Sequence, residues 1–337
     1  MVSSKWLEDN RTLIATYDWE HYPLELAEHG VMLVLDMQAR VLAMANYPTY
    51  DLNALVAGGD EARAILSDDR NLMLNYAIGS RATPGSIFKM VTGFGALDSG
   101  VLKPDELISD MGYYTAYNSD LSTAPKCWIS EGYRSQHYYQ TIVDGIAHSC
   151  NYFFYECGSR LGETRLYQYA AAFGLTSKTG IDLPSEYAGV LPSREWKAKR
   201  FAKSSDPTAK EWRAGEMVSV SIGQGYNAYT PLQMAHATAS LANNGVVHQP
   251  HLVKEILDFG ARKITRINPN PERQIPFKAD NFEYVKRAME KVLKPGGTAH
   301  RIGGGLAYTM GGKTGTAQVV QIKQGGRYNA AALREQH

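Results

Sequence analysis

The sequence runs to 337 residues, 44% of them hydrophobic and 20% charged, which is enough apolar material for a large folded core and too much for a disordered chain. A net charge of +1, with no long basic stripe, argues against nucleic acid as a partner, and three cysteines are too few for a disulfide framework. No stretch approaches the ~18 consecutive apolar residues of a membrane span, and the N-terminal ten residues lack the apolar centre of a signal peptide.

Residues 1–29 are polar, with Leu24 to His29 read as the end of a helix. Gly30 to Asp36 and Arg40 to Asn46 are β-like runs across a short polar turn and predict a hairpin, closed off by Tyr47-Pro48. A short helix is expected over Asp60 to Leu66. Pro84-Gly85 then interrupts the chain, and Ser86 opens an apolar helical run, Ile87 to Leu97, ended by Ser99-Gly100. Residues 101–137 are read as irregular. Gln140 to Ala147 predicts a short helix leading into His148-Ser149-Cys150-Asn151, and Tyr152 to Phe173 a longer one with a break at Gly162.

Residues 174–213 read as loop, with the basic run Lys197 to Lys203 as a solvated face. Thr230-Pro231 is a helix start, continued to Asn244-Gly245. His251 to Asp258 and Arg262 to Ile267 predict a second hairpin. Asp280-Asn-Phe-Glu283 resembles a capping box opening a helix to Leu293, with Phe282, Val285, Met289 and Val292 on one face. Leu306 to Ile322 reads as mostly strand around Gly-Gly-Lys-Thr-Gly-Thr.

Ser86 and Lys89 are three apart, so on a helix they share a face. A hydroxyl needs a neighbouring base to act as a nucleophile, and a desolvated lysine can serve; the helix N-terminus favours developing negative charge at Ser86. The pair alone is weak evidence, as is Ser149-Cys150-Asn151, whose hydroxyl and carboxamide could face one cleft. On a strand, Lys313 and Gly315 would face one way and Thr314 and Thr316 the other, and Gly315 would leave room for a substrate backbone against the strand. Ala307 to Thr314 also fits a relaxed phosphate-loop pattern, but strand-like sequence follows where that motif needs a helix.

The order Ser86-x-x-Lys89, Ser149-x-Asn151, Lys313-Thr314-Gly315 resembles the motif set of the penicillin-binding protein transpeptidase domain. Residues 30–53, Ser149 to Tyr155, Thr179 to Glu186 and Ile222 to Tyr226 followed by Thr230-Pro231 carry the likeness along the chain. Together they point to the class B branch, and Leu191 to Lys197 to its elongation-type penicillin-binding protein 2 group.

The resemblance implies an α+β fold: an antiparallel sheet packed between helices, within one transpeptidase domain over 1–337 that carries a helical, loop-rich insertion at about 100–230. It also implies a peptidoglycan D,D-transpeptidase. Ser86 would be acylated by stem peptides ending in D-Ala-D-Ala, or by β-lactams. Lys89 would be its base and Ser149 a proton relay. Asn151 would hold Lys89 and a substrate amide. Lys313 would lower the pKa of Lys89 by repulsion and help to orient Ser149. Thr314 and Thr316 would bind the substrate carboxylate, with Gly315 between them. Ser86 and Thr316 N–H groups would form the oxyanion hole.

A membrane glycosyltransferase of the elongation machinery is the implied partner, at the extracytoplasmic face of the cell membrane, with no cofactor. Hydrolysis in the manner of a D,D-carboxypeptidase or β-lactamase, or a non-catalytic β-lactam sensor, are the alternatives. Against the family, the membrane anchor and the N-terminal pedestal domain are expected to be missing from this stretch, as are the last strands and closing helix after His337. That would leave the Lys313 strand as an unpaired edge and the chain poorly stable. Some members carry a structural metal near the Ser-x-Asn helix. Cys127, His137 and His148 lie nearby without forming a ligand set, so no metal is expected.

Overall fold

The computed structural model describes residues 29–133, 135–260, 262–266 and 273–317. The expected helix end at Leu24 to His29 and the strand beyond Ala317 therefore lie wholly or mainly outside the described residues. The chain divides into two compact units, one of residues 1–30 and 46–73 and one of residues 31–45 and 74–337. Every motif above falls in the second.

Strands β1 (Gly30–Leu35) and β2 (Val41–Tyr47) pair as expected. In the first unit lie the short helices α1 (Leu52–Ala57), capped by Asp51, and α2 (Gly59–Leu66), which matches its prediction. Helix α3 (Lys89–Asp98) has nine buried residues out of ten, and a helix apolar all round belongs at the centre of a core. Its Phe94 ring meets Phe173 at 5.3 Å edge-on and Phe282 at 4.5 Å. Neighbours approach closely where α3 has no side chain: a Cβ on Gly95 would lie 2.7 Å from the Tyr169 ring. Burying each such aromatic contributes roughly 1.5–3 kcal/mol, so the turn before α3 is anchored by the best-packed part of the molecule.

Strand β3 (Ile108–Asp110) pairs antiparallel with β4 (Tyr138–Gln140), and helix α4 (Trp128–Tyr133) lies between them in sequence, giving the irregular region some order. Helix α5 (Ile142–Ala147) starts at a Thr141–Asp144 capping box. Helix α6 (Asn151–Ala172) packs on α3 and breaks where expected, at Gly162, with φ of 71°. Part of the stretch read as loop is helix α7 (Arg194–Arg200). Ser193 Oγ accepts from Trp196 N at 3.1 Å and caps the helix, a tie that offsets the polar character of the segment.

Helix α8 (Glu216–Ser221) packs on α6, and α9 (Pro231–Ala242) begins with a reciprocal Thr230–Gln233 box. The second hairpin forms from β5 (Glu255–Asp258) and β6 (Lys263–Arg266). Helix α10 (Ala279–Val292) buries Phe282, Val285, Met289 and Val292, yet the expected Asp280 box does not form. Asp98 at the end of α3 takes over, accepting from Lys278 N and Asn281 Nδ2, both at 3.0 Å.

The composition of helices with antiparallel strand pairs is the expected α+β kind. The stretch 306–317 bends at 307–308 and joins no ladder among the described residues, against the expected strand. Alternation favours an extended backbone; a ladder also needs a partner.

Candidate active site

Ser86 sits half-buried in a 3₁₀ turn, Gly85–Phe88, that leads into α3. Gly85 has φ of 54°, its N–H donates to Gly223 O at 3.0 Å, and a Cβ there would lie 2.3 Å from Thr316 O. Gly223, at φ of 73°, would place a Cβ 2.2 Å from Gly85 O. The serine turn is thus wedged between two backbones, and no side chain fits at either glycine. Gly315 has the same use: its missing Cβ faces Ile87 Cγ1 at 2.8 Å. The room expected there for a substrate backbone is taken by the Ser86 turn.

One helical turn on, Lys89 is fully buried and its Nζ donates to Ser149 O at 2.8 Å and Asn151 Oδ1 at 2.6 Å, with Ser149 Oγ at 3.3 Å. Lys313 Nζ reaches the same Ser149 Oγ at 2.9 Å. Two residues separated by 60 and 164 positions from Ser149 therefore converge on one hydroxyl.

Helix α5 holds that hydroxyl by an unusual ending. Cys150 N donates to Gly145 O and Ser149 N to Ile146 O, a Schellman pattern that puts Ser149 where glycine is customary, at φ of 53°. Left-handed backbone in a serine costs about 1 kcal/mol and persists only when its surroundings hold it. Here Trp128 Nε1 donates to the carbonyls of His148 and Ser149, and Cys150 Sγ caps α6 by accepting from Phe153 N.

The segment Lys313–Thr316 is tied by side chains. Thr314 Oγ1 lies 2.9 Å from Thr298 Oγ1, and Thr298 N donates to Ala147 O. Gln224 Nε2 donates to Thr316 O at 3.0 Å. Gln224, Thr298 and Trp128 were not singled out from the sequence. Only Gln224 had a signal, as the middle of Gly223-Gln224-Gly225 within the Ile222 to Tyr226 stretch already quoted.

Burial is the leading cause that pushes the Lys89 amine down, to about 8. Burial pushes Lys313 down to about 7, and there Lys89 does add repulsion. Two buried ammonium groups on one hydroxyl disfavour each other, so the pair sheds its first proton near neutral pH. Lys313 carries the lower value, and the bonding also accommodates a neutral Lys89. An amine has two N–H bonds and a lone pair, and the two acceptor-only oxygens of Ser149 and Asn151 take both hydrogens.

A second cluster adjoins this one. Asp110, Cys127, His137 and Cys150 each place a donor atom within 4.8 Å of the others. The sequence reading that found no ligand set is corrected. The set draws Asp110 from β3, 40 positions before Cys150, and omits His148, whose ring stacks on His137 at 5.7 Å and whose Nδ1 pairs with Gln140 Oε1. The donor separations are 3.8 Å (Cys127 Sγ to Cys150 Sγ), 3.4 Å (Cys127 Sγ to His137 Nδ1), 3.1 Å (His137 Nδ1 to Asp110 Oδ2) and 3.4 Å (Cys150 Sγ to Asp110 Oδ2). A tetrahedral zinc with bonds of ~2.0–2.3 Å would have edges of about 3.3–3.8 Å. Burial disfavours the Asp110 carboxylate, but the His137 hydrogen bond and the Gly112 N–H outweigh it and hold it at about 2. The donors and spacing fit zinc.

Residues 30–333 match the family model described as the penicillin binding protein transpeptidase domain. The chain is 36% identical over 311 residues to the peptidoglycan D,D-transpeptidase MrdA of Acinetobacter baumannii, covering 91% of this chain and 44% of that protein. It is 32% identical to MrdA of Haemophilus influenzae, over 91% of this chain and 46% of that one. It thus spans under half the length of these curated relatives. Among solved structures, Pseudomonas aeruginosa PBP2 in complex with WCK 5153 superposes with a TM-score of 0.73 at 30% identity, over 94% of this chain and 67% of that one. PBP2 of Helicobacter pylori in complex with MreC gives 0.72 at 26% identity, over 86% and 51%.

Proposed function

This chain belongs to the penicillin-binding protein transpeptidase family, and on that footing we propose that residues 30–333 act as one D,D-transpeptidase domain with Ser86 as nucleophile. The observation that carries the reading is the convergence of Lys89 and Lys313 on the Ser149 hydroxyl beside the Ser86 turn.

Lys89, as a neutral amine, takes the Ser86 proton while Ser86 Oγ attacks the carbonyl between the terminal D-alanines of a stem peptide. The N–H groups of Ser86 and Thr316 donate to the developing oxyanion, each worth about 3 kcal/mol in such sites. Ser149 passes a proton to the leaving D-alanine amine, and Lys313, kept charged, orients Ser149 and draws the substrate carboxylate to Thr314 and Thr316. Asn151 holds Lys89 and offers its amide to the donor peptide. An amine from a second stem peptide then enters where D-alanine left, by the same proton route in reverse, and closes the cross-link. A β-lactam follows the first half of this path and leaves Ser86 acylated.

Asp110, Cys127, His137 and Cys150 would hold a zinc ion. With four protein donors it would be structural, tying the middle of Ser149-Cys150-Asn151 to β3 and to the start of α4.

We further propose that the whole protein works at the extracytoplasmic face of the membrane beside a glycosyltransferase of the elongation machinery. The complex of the Helicobacter pylori relative with MreC supports a life in such assemblies. Among the described residues no helix is long and apolar enough to cross a membrane.

The test is intact-protein and peptide mass spectrometry after penicillin treatment. One adduct on the peptide containing Ser86 is expected; an adduct elsewhere, or none, overturns the reading.

A further inference from the structure

Gln224 does more than hold Thr316: it also lines a half-open groove of about 830 Å³ bordered by residues of α7 and α8. The two flanks of the Lys313–Thr316 segment are chemically different. Lys313 is bonded to Ser149 at one end, and Thr316, three residues and ~10 Å further along an extended chain, is bonded to Gln224 at the other. A donor peptide with its terminal carboxylate at Lys313 and Thr314, and its reacting carbonyl at Thr316, therefore directs its upstream residues past Thr316 towards this groove.

The groove offers an aromatic shelf and one uncommitted cation. Tyr226, half exposed, is held by Trp196 at 5.2 Å and Phe201 at 5.6 Å, so its ring is fixed before anything binds. The other charges are engaged. Lys197 is paired with Glu216 and also donates to Glu211 O, and Asp206 accepts from both N and Oγ1 of Thr208. Arg213 is different. Its backbone N–H goes to Glu216, while its guanidinium feels the charge of Asp206 without an ion pair among the described residues. A guanidinium and an aromatic ring that line one groove suit a short extended peptide carrying a carboxylate.

The geometry points to this groove as a subsite for the stem peptide upstream of D-Ala-D-Ala, with Arg213 receiving a free side-branch carboxylate and Tyr226 carrying the adjoining backbone. The inference rests on the assignment of Ser86 as the acylated residue. It makes Arg213 a determinant of which stem peptides are accepted, not a part of the chemistry.

The experiment measures how well peptides slow the acylation of Ser86 by a fluorescent penicillin in the full chain. The probes are an acetylated pentapeptide ending in D-Ala-D-Ala with a free γ-linked glutamate carboxylate, its glutamine counterpart, and the bare dipeptide. The wild type should be protected about tenfold better by the acid than by the amide. Arg213→Ala should erase that preference and Arg213→Lys restore part of it, while the penicillin rate without peptide stays within twofold and protection by the dipeptide is unchanged. Equal protection by acid and amide in the wild type, or an Arg213→Ala variant that keeps the preference, overturns the subsite. Failure of penicillin to acylate Ser86 at all would strike the underlying assignment first, and the two failures are separately visible.

Discussion

The two walls of the site are held in different ways. The helical wall, Lys89 with Ser149-Cys150-Asn151, is built from buried backbone: a Schellman ending, a thiol cap on α6 and the Trp128 bonds fix it, and Lys89 is fully enclosed. The other wall, Lys313–Thr316, makes no ladder among the described residues and hangs on three side-chain ties, from Ser149, Thr298 and Gln224. Proton transfer tolerates little displacement, and the groups assigned to move protons sit on the rigid side. The groups assigned to grip substrate sit on the side that single side chains can adjust.

Removing the amine at the heart of the rigid wall should have the largest effect. Lys89→Met is expected to slow penicillin acylation by at least ~10³-fold. It also leaves the Asn151 carboxamide oxygen without its Lys89 donor, costing about 1–3 kcal/mol in urea unfolding, while the Ser149 carbonyl keeps its bond from Trp128 Nε1. Acylation within tenfold of wild type would remove Lys89 as the base.

Ser149 separates strain from chemistry. Ser149→Ala and Ser149→Gly should both lose about 10²-fold or more in acylation, since both delete the hydroxyl. Only glycine accepts a φ of 53° without penalty, so the glycine variant should be more stable than the alanine one by about 1 kcal/mol. Equal stabilities would mean that the left-handed backbone is not held as described.

Metal removal probes the rigid wall from behind. A strong chelator should lower the melting temperature of the wild type and slow its acylation together, and zinc should restore both. Cys127→Ala should already melt low and no longer respond to either reagent. Unchanged melting of the wild type after chelation, with no zinc found by elemental analysis, would remove the metal.

The mildest change falls on the adjustable wall. Gln224→Ala frees the Thr316 carbonyl and should cost about tenfold or less in acylation with stability altered by under ~1 kcal/mol. A large loss of stability would show that the two walls are not held differently after all.

Much of this was readable in the chain because local rules and tertiary packing agree there. The helix start at Thr230-Pro231, the break at Gly162 and the two hairpins stand where their residues said. What was missed depends on partners distant in sequence. Asp98 replaces the expected Asp280 cap because it arrives from another helix. The Asp110 cluster needs a strand 40 positions upstream to meet Cys150, which no spacing rule registers. Gly315 was rightly marked as a place of close approach, but what approaches is the chain's own Ser86 turn. The lowered pKa of Lys89 was expected from desolvation and from Lys313, and burial is the leading cause.

The most direct test of the central claim is the pH dependence of Ser86 acylation by penicillin, followed by rapid-mixing mass spectrometry. A lysine with a lowered pKa gains its neutral, basic form as pH rises through that lowered value, here about 8 for Lys89 and about 7 for Lys313. Acylation should therefore climb across about pH 7 to 8 and level off before pH 9, as the pair gives up its first proton. A rate flat over that range and rising only near the ~10.4 of an ordinary lysine would contradict a buried neutral amine as the base.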